Sequence, residues 1–287
     1  MNRDILALIQ ENMHTFSKGQ KRIASFILES YDKAAFMTAS KLGKKVNVSE
    51  STVVRFAAEL GYDGYPDMQR SLQKMIRNRL TSVQRIEVTN DRLGHQDLLS
   101  MVLQSDIEKI RLTLEELDRD SFEKAVDAIV SARKLYIIGV RSCAAMATFM
   151  SFYFNLIFDN VVKVSATTAS EVFESLLRVG EGDVVIGVSF PRYSSRTVQA
   201  MNFARSRGAT TIAITDSEVS PLSPISTYTL KARSDMASFV DSLVAPLSLI
   251  NALLVAVSRK KNDDLANTFE DLEKIWEEYG VYEKVQE

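Results

Sequence analysis

DVVIGVSFPRYSSRTVQAMNFARSRG, residues 183–208, runs a strand, a hydroxyl-rich turn and a helix together without a break. Val184 to Val188 is a continuous apolar run, β-branched except at Gly187, of the kind buried on both faces of a parallel sheet. Ser189, Ser194, Ser195 and Thr197 gather where the following helix starts, so hydroxyls and free backbone N–H groups converge on one small volume suited to a phosphate. Arg192 and Arg196 bring positive charge to the same turn, and no GxxxxGK[ST] loop points to a nucleoside triphosphate. A polar turn that merely caps a helix accounts for the same residues.

Outward from this stretch, apolar strands alternate with helices from Ser121 onward. The strands are Leu135–Ile138, Val161–Val164, Val184–Val188, Thr211–Ile214 and Tyr228–Leu230, with helices near 142–158, 168–178 and 195–207 and a long one from about 237. That order predicts a five-stranded parallel sheet covered by helices on both faces, with ligands at the carboxyl ends of the strands. A second strand end, Gly139-Val140-Arg141-Ser142, opens a helix and adds Arg141 and Ser142 to the candidate site. Thr215-Asp216-Ser217 and Ser220-Pro221 flank it. The helix carrying Phe149, Phe152, Tyr153, Phe154 and Phe158 is apolar almost all round and belongs to a core or a subunit interface.

Residues 1–80 read as helical throughout. Ser17 and Gln20 have capping-box spacing before Ile23, Phe26 and Ile27. In TASKLGKKVNVSESTVVRFAAELG, residues 38–61, Thr38 caps one short helix, Asn47 suits a left-handed turn residue, and Ser49 caps a second helix that stops at Gly61. Leu42, Val46, Val48, Val53 and Phe56 close the two helices on each other in helix-turn-helix geometry. The outward face of the second helix then carries Glu50, Ser51, Thr52 and Arg55, with Ser49 at its cap, as major-groove reading requires. Lys41, Lys44 and Lys45 fall where phosphate contacts are expected. A helical hairpin with a solvated basic face is the alternative. Pro66 starts a further helix, and Arg77, Arg79 and Arg85 follow on a polar linker that ends near Gln96. Leu103, Ile107, Ile110, Leu114 and Leu117 then repeat as a packing seam for the second domain or a partner subunit. The boundaries are 1–80 for the helical head, 81–120 for a linker and connecting helix, and 121–287 for the α/β body.

Residues 1–85 hold 14 Lys and Arg against 8 Asp and Glu, and the remainder 21 against 29. A basic module joined to an acidic one fits a DNA-binding head on a separate body. The single cysteine, Cys143, excludes an intrachain disulfide and fits a reducing cytoplasm, where it is buried filler. His14 and His95 have no metal-ligand spacing, so no metal or other cofactor is expected. No secretory signal is evident, and Leu243–Val257, interrupted by Pro246 and Asn251, is a buried helix and no membrane span.

Thr52–Phe56 (TVVRF) with Glu59–Tyr65 (ELGYDGY) resembles the N-terminal helix-turn-helix domain of the RpiR/MurR family of bacterial transcriptional regulators. Tyr136–Ser142 (YIIGVRS), Gly182–Ser189 (GDVVIGVS) and Thr215–Pro221 (TDSEVSP) resemble its C-terminal sugar isomerase, or SIS, domain. The resemblance implies a flavodoxin-like αβα sandwich binding a phosphosugar and controlling a head that binds double-stranded operator DNA as a homodimer or homotetramer, to regulate sugar catabolism in the cytoplasm. Ser142, Ser189, Ser194 and Thr197, with Ser195 as a substitute for Ser194, match the family's phosphate-contacting positions. Gly43 replaces a common alanine. SFPRYSSRT lacks the glycine of the S-x-S-G-x-T pattern of catalytic SIS enzymes, which argues against an enzyme. The alternative function, an aldose-ketose phosphate isomerase, would have to use Glu171 or Glu174 as its base.

Overall fold

The computed structural model describes residues 5–76, 81, 83–86, 97–235 and 240–283. They fall into two compact units, residues 1–102 with 236–241, and residues 103–235 with 242–287.

In the first unit, the helices among the described residues are α1 (Ile5–Asn12), α2 (Lys18–Glu29), α3 (Tyr31–Ala34), α4 (Ala39–Lys45), α5 (Glu50–Glu59) and α6 (Tyr65–Ile76). The capping box forms at α2, where the Ser17 N–H donates to Gln20 Oε1 (2.9 Å) and Ser17 Oγ accepts from the Gln20 N–H (3.4 Å). Ile23 and Ile27 of α2, Leu42 of α4, Val53 and Phe56 of α5, and Met68 and Leu72 of α6 are buried in one core. Phe16 locks onto Phe56 with ring centroids 5.0 Å apart. Gly43 is needed where it stands, because a Cβ there would lie 2.9 Å from the Val48 carbonyl oxygen. Arg85, expected on a solvated linker, is buried and donates to Asp241 (2.9 Å), while Arg77, Arg79, His95 and most of that linker lie outside the described residues.

In the second unit a single parallel sheet has the order β2-β1-β3-β4-β5, with β1 at Leu135–Gly139, β2 at Val161–Lys163, β3 at Val184–Val188, β4 at Thr210–Thr215 and β5 at Tyr228–Lys231. Each observed strand end lies within one residue of the expected one. α8 (Arg119–Val130), α9 (Cys143–Ile157) and α12 (Val244–Lys260) cover one face, packing Ile129, Met150, Phe154 and Leu253 against Ile137, Ile186 and Ile214. α10 (Ala169–Ser175) and α11 (Ser195–Ser206) cover the other, placing Val172, Leu176, Met201 and Ala204 on Tyr136, Ile138 and Val185. Alternation of side chains along each strand divides the two cores. α13 (Asn262–Glu278) follows α12. Asp183, fully buried just before β3, accepts from Arg133 Nε (2.9 Å) and Nη2 (2.8 Å) and from the Gly180 N–H (2.9 Å), which ties the start of β3 to the approach to β1.

Of the seam residues, Leu103, Ile107 and Leu114 on α7 (Leu98–Glu116) are 54%, 66% and 60% exposed and so are left uncovered by the body, while Leu117 just beyond the helix packs on its core. α7 instead buries Lys109 and Thr113, with Lys109 Nζ held by Ser105 and Asp106, and Thr113 Oγ1 accepting from the Arg233 N–H (2.9 Å). The apolar helix α9 divides its residues between uses: Cys143, Met146, Met150 and Phe154 enter the core, while Phe152 is 61% exposed. The long helix expected from about 237 starts at Val244, and residues 236–239 lie outside the described set. Among the described residues, no helix is long and apolar enough to cross a membrane, and no group of three metal-ligating side chains forms.

Candidate functional site

In the first unit α4 and α5 meet at a turn where Asn47 takes φ 53°, the left-handed conformation that Asn tolerates best among side-chain-bearing residues. Thr38 Oγ1 accepts from the Lys41 N–H (3.2 Å) and Ser49 Oγ from the Thr52 N–H (3.2 Å), so each helix starts on the expected cap. Burial of Val53, Phe56 and Ala57 leaves Glu50, Ser51, Thr52 and Arg55 on the outer face of α5, all exposed except the half-buried Thr52. Arg55 Nε donates to the Ser51 carbonyl (3.4 Å) and its guanidinium remains at the surface. Lys41, Lys44 and Lys45 are exposed, and Gly61 closes the motif at φ 86°. A short polar face beginning at a helix N-terminus, flanked by lysines, has the shape and donors that a major groove accepts.

In the second unit the carboxyl ends of β1 and β3 are side by side, because Gly139 pairs with Val188 in register. The two turns expected to form the site therefore leave the sheet together. After β3, Ser189 is buried and its Oγ accepts from the Ser194 N–H (3.1 Å), while Ser194 Oγ caps α11 by accepting from the Thr197 N–H (3.4 Å). Accepting leaves each hydroxyl hydrogen available as a donor. Thr197 is fully buried and its Oγ1 has no hydrogen-bond partner, an uncompensated cost in the first turn of α11. Ser195, the first residue of α11, is exposed, and Arg192 holds φ 64°. After β1, Arg141 holds φ 59° and, like Ser142, is exposed. A Cβ on Gly139 would lie 2.4 Å from the Cys143 carbonyl oxygen, so only glycine lets α9 start this close to β1.

Neighbouring strands brace the turn. Thr215 Oγ1 donates to the Ser189 carbonyl (2.8 Å) and lies 2.7 Å from Ser220 Oγ, and Tyr193 Oη donates to Asp216 (2.7 Å). The Tyr193–Asp216 strut carries no sequence signature, since the residues are 23 apart and meet only once β3 and β4 pair. Arg196 does not face the turn: its Nη1 donates to the carbonyls of Ala166 (2.6 Å) and Thr167 (3.0 Å). A cavity of about 300 Å³ opens beside the β1 turn, lined by Gly139, Arg141, Thr148, Lys163, Ser165 and Thr167 among others. Lys163 Nζ lies 3.3 Å from Thr148 Oγ1, and this lysine had no distinguishing spacing in the sequence. Glu171 accepts from Ser165 Oγ (2.5 Å), and this bond holds its exposed carboxyl below the usual carboxylate range. A carboxylate so stabilised is a weaker proton acceptor than a free one.

A model of the helix-turn-helix domain of the rpiR family matches residues 3–79, and a model of the SIS domain matches residues 128–256. The HTH-type transcriptional regulator HexR of Escherichia coli is 27% identical over 263 residues, covering 90% of this chain and 89% of that protein. Among solved structures, the Vibrio vulnificus NanR protein complexed with ManNAc-6P superposes with a TM-score of 0.60 at 22% identity, over 97% of this chain and 99% of that one. The sugar isomerase domain of an RpiR transcription factor from Sphaerobacter thermophilus superposes with a TM-score of 0.57 at 28% identity, over 62% of this chain and 99% of that one. With both modules matched in this order, the chain belongs to the rpiR family of helix-turn-helix transcriptional regulators that carry a SIS domain.

Proposed function

We propose that this DNA-binding regulator reads operator DNA with α5 and is controlled by a phosphosugar held in the Ser189–Thr197 turn. Arg55, with Glu50, Ser51 and Thr52, contacts base edges, while Lys41, Lys44, Lys45 and the Ser49 cap contact the backbone. Ser142, Ser189, Ser194, Ser195 and Thr197 supply hydroxyls to the phosphate, Arg141 and Arg192 supply charge, and the adjoining cavity takes the sugar. The head is residues 1–80, the connecting segment 81–120 and the body 121–287. The observation that carries the effector reading is the fully buried, unpartnered Thr197 Oγ1 in a turn where Ser189 and Ser194 Oγ accept hydrogen bonds and keep their own hydrogens to donate. A helix N-terminus beside it completes an anion site. NanR of Vibrio vulnificus was solved with such a phosphosugar, ManNAc-6P.

The body senses its ligand without transforming it. Glu171 is engaged by Ser165, and the turn lacks the glycine of catalytic relatives. The protein acts in the cytoplasm on sugar-catabolic genes, as a homodimer or larger homo-oligomer. Exposed Leu103, Ile107 and Leu114 on α7 and Phe152 on α9 are the surfaces that a second copy covers. A melting screen against phosphorylated and unphosphorylated sugars tests the effector reading. A shift given only by phosphorylated members and lost on Ser189→Ala with Thr197→Val supports it. Equal shifts in the variant remove the site.

A further inference from the structure

The first unit carries a basic stripe outside the reading helix. Lys18, Lys21, Arg22 and Ser25 occupy positions i, i+3, i+4 and i+7 of α2 and therefore share one face, opposite buried Ile23, Ala24 and Ile27. All four are exposed, and among the described residues none of the three cations has a carboxylate within ion-pair distance. Like charges at this spacing cost the free protein helix stability. The stripe does not lie on a remote surface. Gly19, in the first turn of α2, is so close to α5 that a Cβ on it would sit 3.5 Å from both Thr52 Cγ2 and Val48 Cγ1. Gln20, in the same turn, donates to Glu59 at the other end of α5. An open groove of roughly 500 Å³ is lined by Lys21, Arg22 and Ser25 together with Lys45 and Asn47 of the helix-turn-helix turn. Glu29, which also lines it, lies about two turns beyond Arg22 and one beyond Ser25 along α2.

We infer that Lys21 and Arg22, supported by Lys18 and joined across the groove by Lys45, form a second DNA contact that grips the phosphodiester backbone beside the major groove entered by α5. The inference rests on the DNA-reading role of α5 and extends it to an element outside the helix-turn-helix. Compact ammonium and guanidinium groups on an open surface read no base pattern. They neutralise phosphates and release counterions, so their contribution is independent of sequence and falls with salt.

The test uses the full chain, a duplex selected by the wild type from a random pool, and a scrambled duplex of the same composition. Each phosphate contact contributes about 0.9 to the slope of log affinity against log salt, or roughly eightfold between 1 M and 0.1 M. Lys21→Gln with Arg22→Gln should lower that slope by about 2 on both duplexes, weaken both on the order of 60-fold at 0.1 M salt, and leave their ratio unchanged. Arg55→Ala should instead collapse the ratio. An unchanged slope in the double variant, with its melting temperature intact, would overturn the α2 contact while leaving the α5 reading in place. A loss confined to the selected duplex would overturn it too, because α2 would then be reading bases. Should the wild type enrich no duplex at all, the reading role on which this inference rests would fail first.

Discussion

Replacing Thr197 with Val separates an effector site from a structural cap, because the two readings predict opposite signs. The side chain keeps its shape and loses one hydroxyl, which is fully buried with no partner. An unsatisfied buried hydroxyl costs the ligand-free protein about 1–3 kcal/mol, so its removal should stabilise that state by at least about 1 kcal/mol. In a body of this size that raises the melting temperature by about 2–4 °C. A hydrogen bond to a phosphate oxygen is worth about 1.5–3 kcal/mol, so the same variant should bind the effector on the order of 30-fold more weakly. At a ligand concentration that is about 100 times the wild-type Kd, the wild type gains roughly 2.7 kcal/mol and the variant only about 0.9. Differential scanning fluorimetry with and without the phosphosugar measures both numbers. A variant that melts lower than the wild type without ligand, and shifts as far with it, refutes the reasoning.

Arg55→Ala should cost operator affinity about 1–3 kcal/mol and relax the base preference at one position, with phosphosugar-induced stabilisation of the body unchanged; fluorescence anisotropy on systematically mutated duplexes reads this. Gly43→Ala should destabilise the head by about 1–3 kcal/mol despite the better helix propensity of alanine, because its Cβ would lie 2.9 Å from the Val48 carbonyl oxygen; a denaturant midpoint above wild type would contradict the packing. Asp183→Ala should cost the body about 2 kcal/mol or more. The Gly180 N–H loses its acceptor, whereas the ion pair to Arg133, whose side chain is 63% exposed, adds little; a melting change under about 1 °C would dismiss the clasp.

The strands were legible because a parallel sheet buried on both faces demands continuous apolar runs rich in β-branched residues, and Val184–Val188 is one with all five residues buried. The head was legible for a different reason: Thr38, Asn47, Ser49 and Gly61 each meet a local backbone demand that few residue types satisfy. Local rules do not say what covers a face. Leu103, Ile107 and Leu114 announce a packing seam by their spacing, yet the body takes the opposite side of α7, where Lys109 and Asp106 meet and Ser242 donates to Asp106 (2.6 Å). Arg85 reads as a linker cation and is buried against Asp241, a partner 156 residues away. In the candidate site, Ser189, Ser194 and Thr197 cluster in sequence and so stood out. Lys163 and Asp216 join it only through the strand order β2-β1-β3-β4, which no spacing encodes.

The most direct test titrates a selected operator duplex into the full-length protein with and without a saturating phosphosugar from the melting screen, and reverses the titration at saturating DNA. Linkage requires the two experiments to return one coupling factor. A factor of about fivefold or more, equal in both directions and lost in Thr197→Val, is the predicted result. Operator affinity that stays the same at saturating sugar phosphate would contradict control of the head by the Ser189–Thr197 turn.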